Sequence, residues 1–203
     1  MRAMNTSDPA TLLQTLRANP LFLREALFDP ITGTSGNLGN TTNSLRISSA
    51  FYSDSVTGTP QSETFWASRA GGTRLIGGGG SDLFVIPLSS NPFAQKVIIE
   101  GFESATESKI VLAVSDYSQS FGVSFKLAKN SKQVSRLART KTSFIFNSDT
   151  HELLLNGNGS KRGLGLPGGS ILLLENDSAL DSTDLLVFRD NNLRQLDGTA
   201  FLG

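Results

Sequence analysis

Two acidic residues, Glu63 and Asp82, each follow a turn-like stretch and stand two residues ahead of a phenylalanine, Phe65 and Phe84. Ahead of Asp82 the chain reads Gly77, Gly78, Gly79, Gly80; ahead of Glu63, Gly58 and Thr59 take the places of Gly77 and Gly78. Glycine in such a place supplies the left-handed backbone angles that a β-carbon penalises. If the two turns stack on parallel strands roughly 4.8 Å apart, the two carboxylates face each other and repel. A hard cation between them removes that repulsion, and turn carbonyls complete an oxygen shell of the kind Ca2+ takes. The candidate metal ligands are therefore Asp82 and Glu63, with the turn backbone at Gly58, Gly77, Gly78 and Gly80. Few charges and a worn partner loop predict one weak site, with affinity on the order of 10⁻⁴–10⁻³ M.

The elements that must position these acids come from a short repeat. Counting back from Phe84, apolar residues recur at Leu75, Phe65 and Val56, and two residues ahead of each stand Asp82, Thr73, Glu63 and Asp54. The spacing is nine residues with one insertion, and Gly77 to Phe84 fits G-G-x-G-x-D-x-U-x with U apolar. Each unit predicts a short strand with its apolar residue inward, followed by a glycine turn. Two units make one coil, so turns on the same side recur about every eighteen residues and stack. Glu63 and Asp82 then share one stack, and Asp54 and Thr73 the other, which has a single acid. The run "GGGGS" alone would also suit a flexible linker. The strand-like "DLFVI" that follows and the upstream phase favour a turn.

The 203-residue chain is long enough for a sizeable core and has a formal net charge of zero, which gives no electrostatic reason to expect nucleic acid or an anionic membrane. Cysteine is absent, which removes disulfides and thiolate metal sites. No apolar run approaches the ~18 residues of a membrane span, and the start lacks the apolar core of a cleaved signal peptide. The single histidine, His151, falls in a predicted hairpin turn, where a solvated role is the ordinary one. No nucleophile elbow and no H-E-x-x-H accompany it. The glycine-rich "GLGLPGG" lacks the lysine of a phosphate loop and reads as a turn. No catalytic residue is assigned, and scattered acids such as Asp82, Glu103 and Asp116 are the material an enzyme reading would have to use.

In order, Ser7 to Phe28 read as a helical pair broken at Asn19-Pro20, with Leu12, Leu13 and Leu16 as its apolar stripe. They are expected to cap the open end of the repeat. After Lys96, "KVIIEGFESATESKIVLAV" reads as two apolar strands around an acidic turn. "SFGVSFKLA" alternates, which predicts a strand with Phe121, Val123, Phe125 and Leu127 on one face. "NSKQVSRLARTKTS" has Lys132, Arg136, Arg139 and Lys141 without an acid or an interleaved aromatic residue, and reads as a solvated connection. A hairpin is predicted from Phe144 to Leu155 with its turn at Asn147 to His151, then two further apolar strands.

This order of pieces resembles the C-terminal β-roll module of the RTX haemolysin-type calcium-binding family. Such modules follow glycine repeats with "V-I-x-x-F", an "I-x-L" strand, a hairpin of the form "F-x-Y-x-x-x-T-G-x-L-x-x-D-x-D-G-x-G" and a closing apolar pair of segments. The chain has "VIIEGF", "SKIVL", "FIFNSDTHELLLNGNGS" and "LLLENDSALDSTDLLVF" in the same sequence. His151 stands where the hairpin glycine is usual, and Asn156 and Asn158 stand where acids are usual. The chain also runs fifteen residues past Phe188. The resemblance implies a non-enzymatic, secreted, calcium-binding protein that leaves the cell by type I secretion machinery and folds as it meets calcium, with an uncleaved export signal from about Ser170 onward.

The expected fold is all-β: a short parallel β-roll (β-solenoid) continuing into a β-sheet-rich C-terminal half, with a small helical N-terminal cap. The expected units are 1–43 (cap and loop), 44–90 (degenerate roll) and 91–203 (C-terminal module). The competing reading is a metal-free structural or adhesive β-solenoid at the cell surface.

Overall fold

Short apolar runs separated by glycine turns give strands of three to seven residues that have to pair with distant neighbours to bury anything. A computed structural model of the chain describes residues 45–47, 55–67, 72–88, 96–103, 108–113, 124–166, 168–175, 179–189 and 192–195. The first strands are β1 (Leu45–Ile47), β2 (Ser55–Thr57), β3 (Thr64–Trp66), β4 (Arg74–Ile76) and β5 (Leu83–Pro87). After them come β6 (Val97–Glu100), β7 (Lys109–Ala113), β8 (Phe125–Ala128), α1 (Ser131–Leu137), β9 (Phe144–Asn147) and β10 (Glu152–Leu155). β11 (Gly169–Glu175), β12 (Leu185–Arg189) and β13 (Asn192–Gln195) complete the described elements. The fold is strand-rich with little helix.

Two sheets form. One has the order β1-β3-β5-β7-β12-β13 and the other β2-β4-β6-β11-β10-β9-β8. From β1 to β7 the chain visits the sheets alternately, and every pairing among these strands is parallel. β12 and β11 continue the two sheets in parallel with β7 and β6, so strands from the C-terminal half extend the sheets begun upstream. Antiparallel pairing enters at β12–β13, β11–β10 and β10–β9.

Side chains at the repeat's apolar positions meet between the sheets. Phe65, Phe84, Ile110 and Leu185 are in register on the first sheet; Leu75, Ile99 and Leu174 are in register on the second. All belong to one buried cluster, with Val56 packed against it. Phe65 lies on Phe84 as the nine-residue phase requires, with ring centroids 5.1 Å apart and planes within 10°. The first sheet is buried on its other face too, along Trp66, Val85, Val111 and Leu186. Burial on both faces is why "LFVI" and "IVLA" are unbroken apolar runs instead of alternating ones.

The hairpin β9–β10 forms at the expected place, and His151 in its turn adopts φ 52°, the left-handed region that glycine normally occupies. Two expectations fail. "NSKQVSRLARTKTS" contains a helix, α1: Asn130 caps it by accepting from Gln133 N at 3.1 Å, while Gln133 Oε1 accepts from Lys129 N at 2.8 Å. Val134, Leu137 and Ala138 give that helix an apolar side packed on Ala128, Ile145 and Leu154. In "SFGVSFKLA", Phe125 packs against the core but Leu127 is 53% exposed, because β8 is the edge strand of its sheet and the core ends beside it. The expected helical cap over Ser7 to Phe28, and Asp54, Phe121 and Val123, lie outside the described residues.

Candidate metal centre

The turn from Gly58 to Ser62 lies directly against the turn from Gly77 to Ser81. Gly58 N donates to Ile76 O at 2.7 Å, and Ser81 N donates to Ser62 Oγ at 3.0 Å. Contact is so close that a β-carbon at Gly58 would stand 2.2 Å from Gly77 O, and one at Gly80 would stand 2.6 Å from Gln61 C. Gly78 and Gly80 also hold φ of +83° and +81°. The run "GGGGS" is thus an ordered turn, and no flexible linker.

Both candidate carboxylates are buried, Glu63 at 1% and Asp82 at 3% exposure. Each lies over the glycine that opens its own turn. A β-carbon would sit 2.3 Å from Glu63 Oε2 at Gly58 and 2.6 Å from Asp82 Oδ2 at Gly77. Glu63 N donates to Asp82 Oδ1 at 3.0 Å, and Thr59 N donates to Glu63 Oε2 at 2.6 Å. The six sequence-predicted residues, Glu63, Asp82, Gly58, Gly77, Gly78 and Gly80, are therefore brought to one place. Burial pushes the Asp82 carboxyl up from 3.8 to about 7; the neighbouring Glu63 carboxylate adds to the rise, and the Glu63 amide opposes it.

Sequence reasoning missed the next rung. Ser108 is buried directly ahead of β7, and Asp82 N donates to its Oγ at 3.0 Å. Glu63, Asp82 and Ser108 thus form a ladder along one edge of the first sheet, each side chain at the second and third rungs taking the amide of the rung before. Ser108 leads Ile110 by two residues, as Asp82 leads Phe84, and the missing charge hid it. Asp184, also buried, precedes β12 on the same sheet, and its backbone carbonyl accepts from Ile110 N at 2.8 Å. Its carboxylate accepts from Asp181 N at 3.0 Å and lies 3.7 Å from Lys109 Nζ.

Chemically the pair offers oxygen alone: two carboxylates and the carbonyls of two stacked turns. That donor set suits a hard cation and is unsuited to soft metals. Among the described residues no third acid, histidine or cysteine joins a group that could hold a metal. One oxygen of each carboxylate is already engaged by a backbone amide. The donor chemistry is that of a hard-cation site in which the two acids, Glu63 and Asp82, would supply the charge. On the opposite stack Thr73 is buried.

In the sequence Asn156 stands out only for occupying a place where an acid is usual. Its Nδ2 faces four carbonyls: Ala138 O at 3.3 Å, Thr140 O at 3.2 Å, Thr142 O at 2.8 Å and Gly159 O at 2.8 Å. A carboxylate there would meet four oxygens, so this position holds the helix end and the following turn together through a donor.

The chain matches no family model, no curated protein and no solved structure.

Proposed function

We propose that the protein is a calcium-binding, non-enzymatic module of the RTX type, with one Ca2+ site between the turns 58–62 and 77–82. The alternating, glycine-turned parallel strands are read as a short β-roll. The observation that supports the reading is the pair of buried carboxylates, nineteen residues apart, lying over stacked glycine turns with Asp82 held near pH 7 by burial and by its acidic neighbour. A calcium ion there would be held by Asp82, Glu63 and the turn carbonyls; it would supply the positive charge the pair lacks. Binding to the folded chain alone stabilises it, which couples folding to calcium. Where calcium is scarce the chain stays loose, and where calcium is plentiful it folds. That is the property an exported chain needs, and it is the basis for reading the protein as secreted through type I machinery.

A second reading, the metal-free structural or adhesive solenoid, is favoured by the same ladder, in which backbone amides of Glu63 and Thr59 already satisfy one oxygen of each carboxylate. Thermal unfolding in chelator and in millimolar calcium separates the two. The calcium reading requires a higher midpoint with calcium, lost in Asp82→Asn and kept in Asp54→Asn. Identical midpoints in the wild type assign the metal-free role.

A further inference from the structure

One corner of this neutral chain is strongly basic. α1 lies on the outer side of β8 and β9, and the loop 157–166 joins the same small apolar cluster through Leu164. The four carbonyl contacts of Asn156 bind the helix end and residues 138–142 to Gly159 of that loop. Arg139 and Lys141 are thereby gathered with Lys161 and Arg162, while Lys132 and Arg136 stand on the helix itself. All six are exposed. Among the described residues none of the six side chains makes an ion pair or hydrogen bond. From 117 to 148 and from 153 to 174 the chain has no acid at all.

We propose that this corner docks on an anionic lipid surface through phosphate-bearing headgroups. Charge complementarity requires a negative partner, and two features choose among negative partners. Leu166, in the loop with Lys161 and Arg162, is 79% exposed, an aliphatic side chain placed to enter the headgroup layer beside the cations. On the strands that carry the helix, Phe144 and Phe146 are buried in the main core and Phe125 packs against it, so among the described residues the corner offers no exposed stacking platform for bases. A helix on the outside of a sheet is also convex, where a nucleic-acid strand favours a positively charged groove. Docking of this kind is peripheral, and among the described residues no helix is long and apolar enough to cross a membrane.

The test is flotation of the full chain with vesicles of phosphatidylcholine alone and with vesicles enriched in phosphatidylserine. It is run in chelator and again in millimolar calcium, with folding checked in each by circular dichroism, so that failure of docking is distinguishable from failure of the calcium reading. The protein is expected on the anionic vesicles only, released by added salt. Each basic residue near an anionic bilayer strengthens binding by about fivefold, so Arg136→Glu with Arg162→Glu weakens it by about a hundredfold or more. Both sites are exposed; Arg136 lies in the last turn of α1, where glutamate is mildly unfavourable, so the variant's unfolding midpoint falls slightly and circular dichroism confirms that it remains folded. Leu166→Ser weakens vesicle binding several-fold and leaves binding to a soluble oligonucleotide unchanged. No partition onto anionic vesicles overturns the proposal. Oligonucleotide binding as tight as vesicle binding, with Leu166→Ser without effect on either, overturns it in favour of a soluble polyanion.

Discussion

Asp82 is a buried acid beside another buried acid, and its chemistry follows from that. An acid whose proton is held until about pH 7 in the folded chain, but only to 3.8 when free, makes the native state bind more protons than the unfolded state in between. Without calcium, stability therefore falls as pH rises through the window from about pH 4 to pH 7. A bound cation displaces the proton, so calcium affinity rises over the same window. Urea unfolding at several pH values, with and without calcium, measures both slopes. Asp82→Asn flattens the metal-free slope, and an unchanged slope in that variant would assign the titration elsewhere. Asn156 illustrates a different kind of residue, neutral and structural. Asn156→Ala removes the donor from four buried or half-buried carbonyls and is expected to cost about 2–3 kcal/mol, read as a shift in the urea midpoint. At this scale the sequence was legible where a residue's type announced its role, as with paired acids after glycines. It was illegible for Ser108 and Asn156, whose roles come from what the fold places opposite them.

The strand is the next unit, and its energetics lie in the stacked apolar rungs. Phe84 is fully buried between the rows of both sheets, stacked on Phe65 and tilted 59° against Phe102. Phe84→Ala opens a cavity in the middle of that stack and is expected to cost roughly 3–5 kcal/mol in chemical denaturation. A cost below about 1 kcal/mol, the range of exposed positions, would contradict the inward phase of the repeat. On the outer side of the second sheet, Arg74 bonds Glu100 at 2.9 Å and also Glu175, joining three neighbouring strands. These groups are about a third exposed, so the network fixes register more than it adds stability. Period-two and period-nine patterns made β3, β4, β5 and the hairpin readable from residue order alone. α1 was hidden because its apolar side is only Val134, Leu137 and Ala138, although Asn130 and Gln133 supplied a capping signal. β8 misled in the opposite direction: its alternation is sound, but an edge strand leaves Leu127 in water.

For the whole molecule, the parallel sheets bear on how the proposed export and the proposed calcium site are tested. The expected export signal begins at about Ser170 and so includes β11, β12 and β13. Leu185, Leu186 and Val187 of β12 are buried, and deletion from Ser182 would remove the strand between β7 and β13 together with any signal. Transporter dependence of the intact chain is the cleaner measurement. The full-length protein is expected in the medium of cells that express a type I transporter and inside cells that lack one. The nine-residue phase foretold which turns would stack, but phase alone does not say whether the oxygens between them are given to a metal or to backbone amides. Calorimetric unfolding of the wild type and of Asp82→Asn, in chelator and in millimolar calcium, addresses that point directly. A calcium site at this pair requires a higher wild-type midpoint with calcium and no calcium response in Asp82→Asn. A wild-type midpoint that calcium does not move would contradict it.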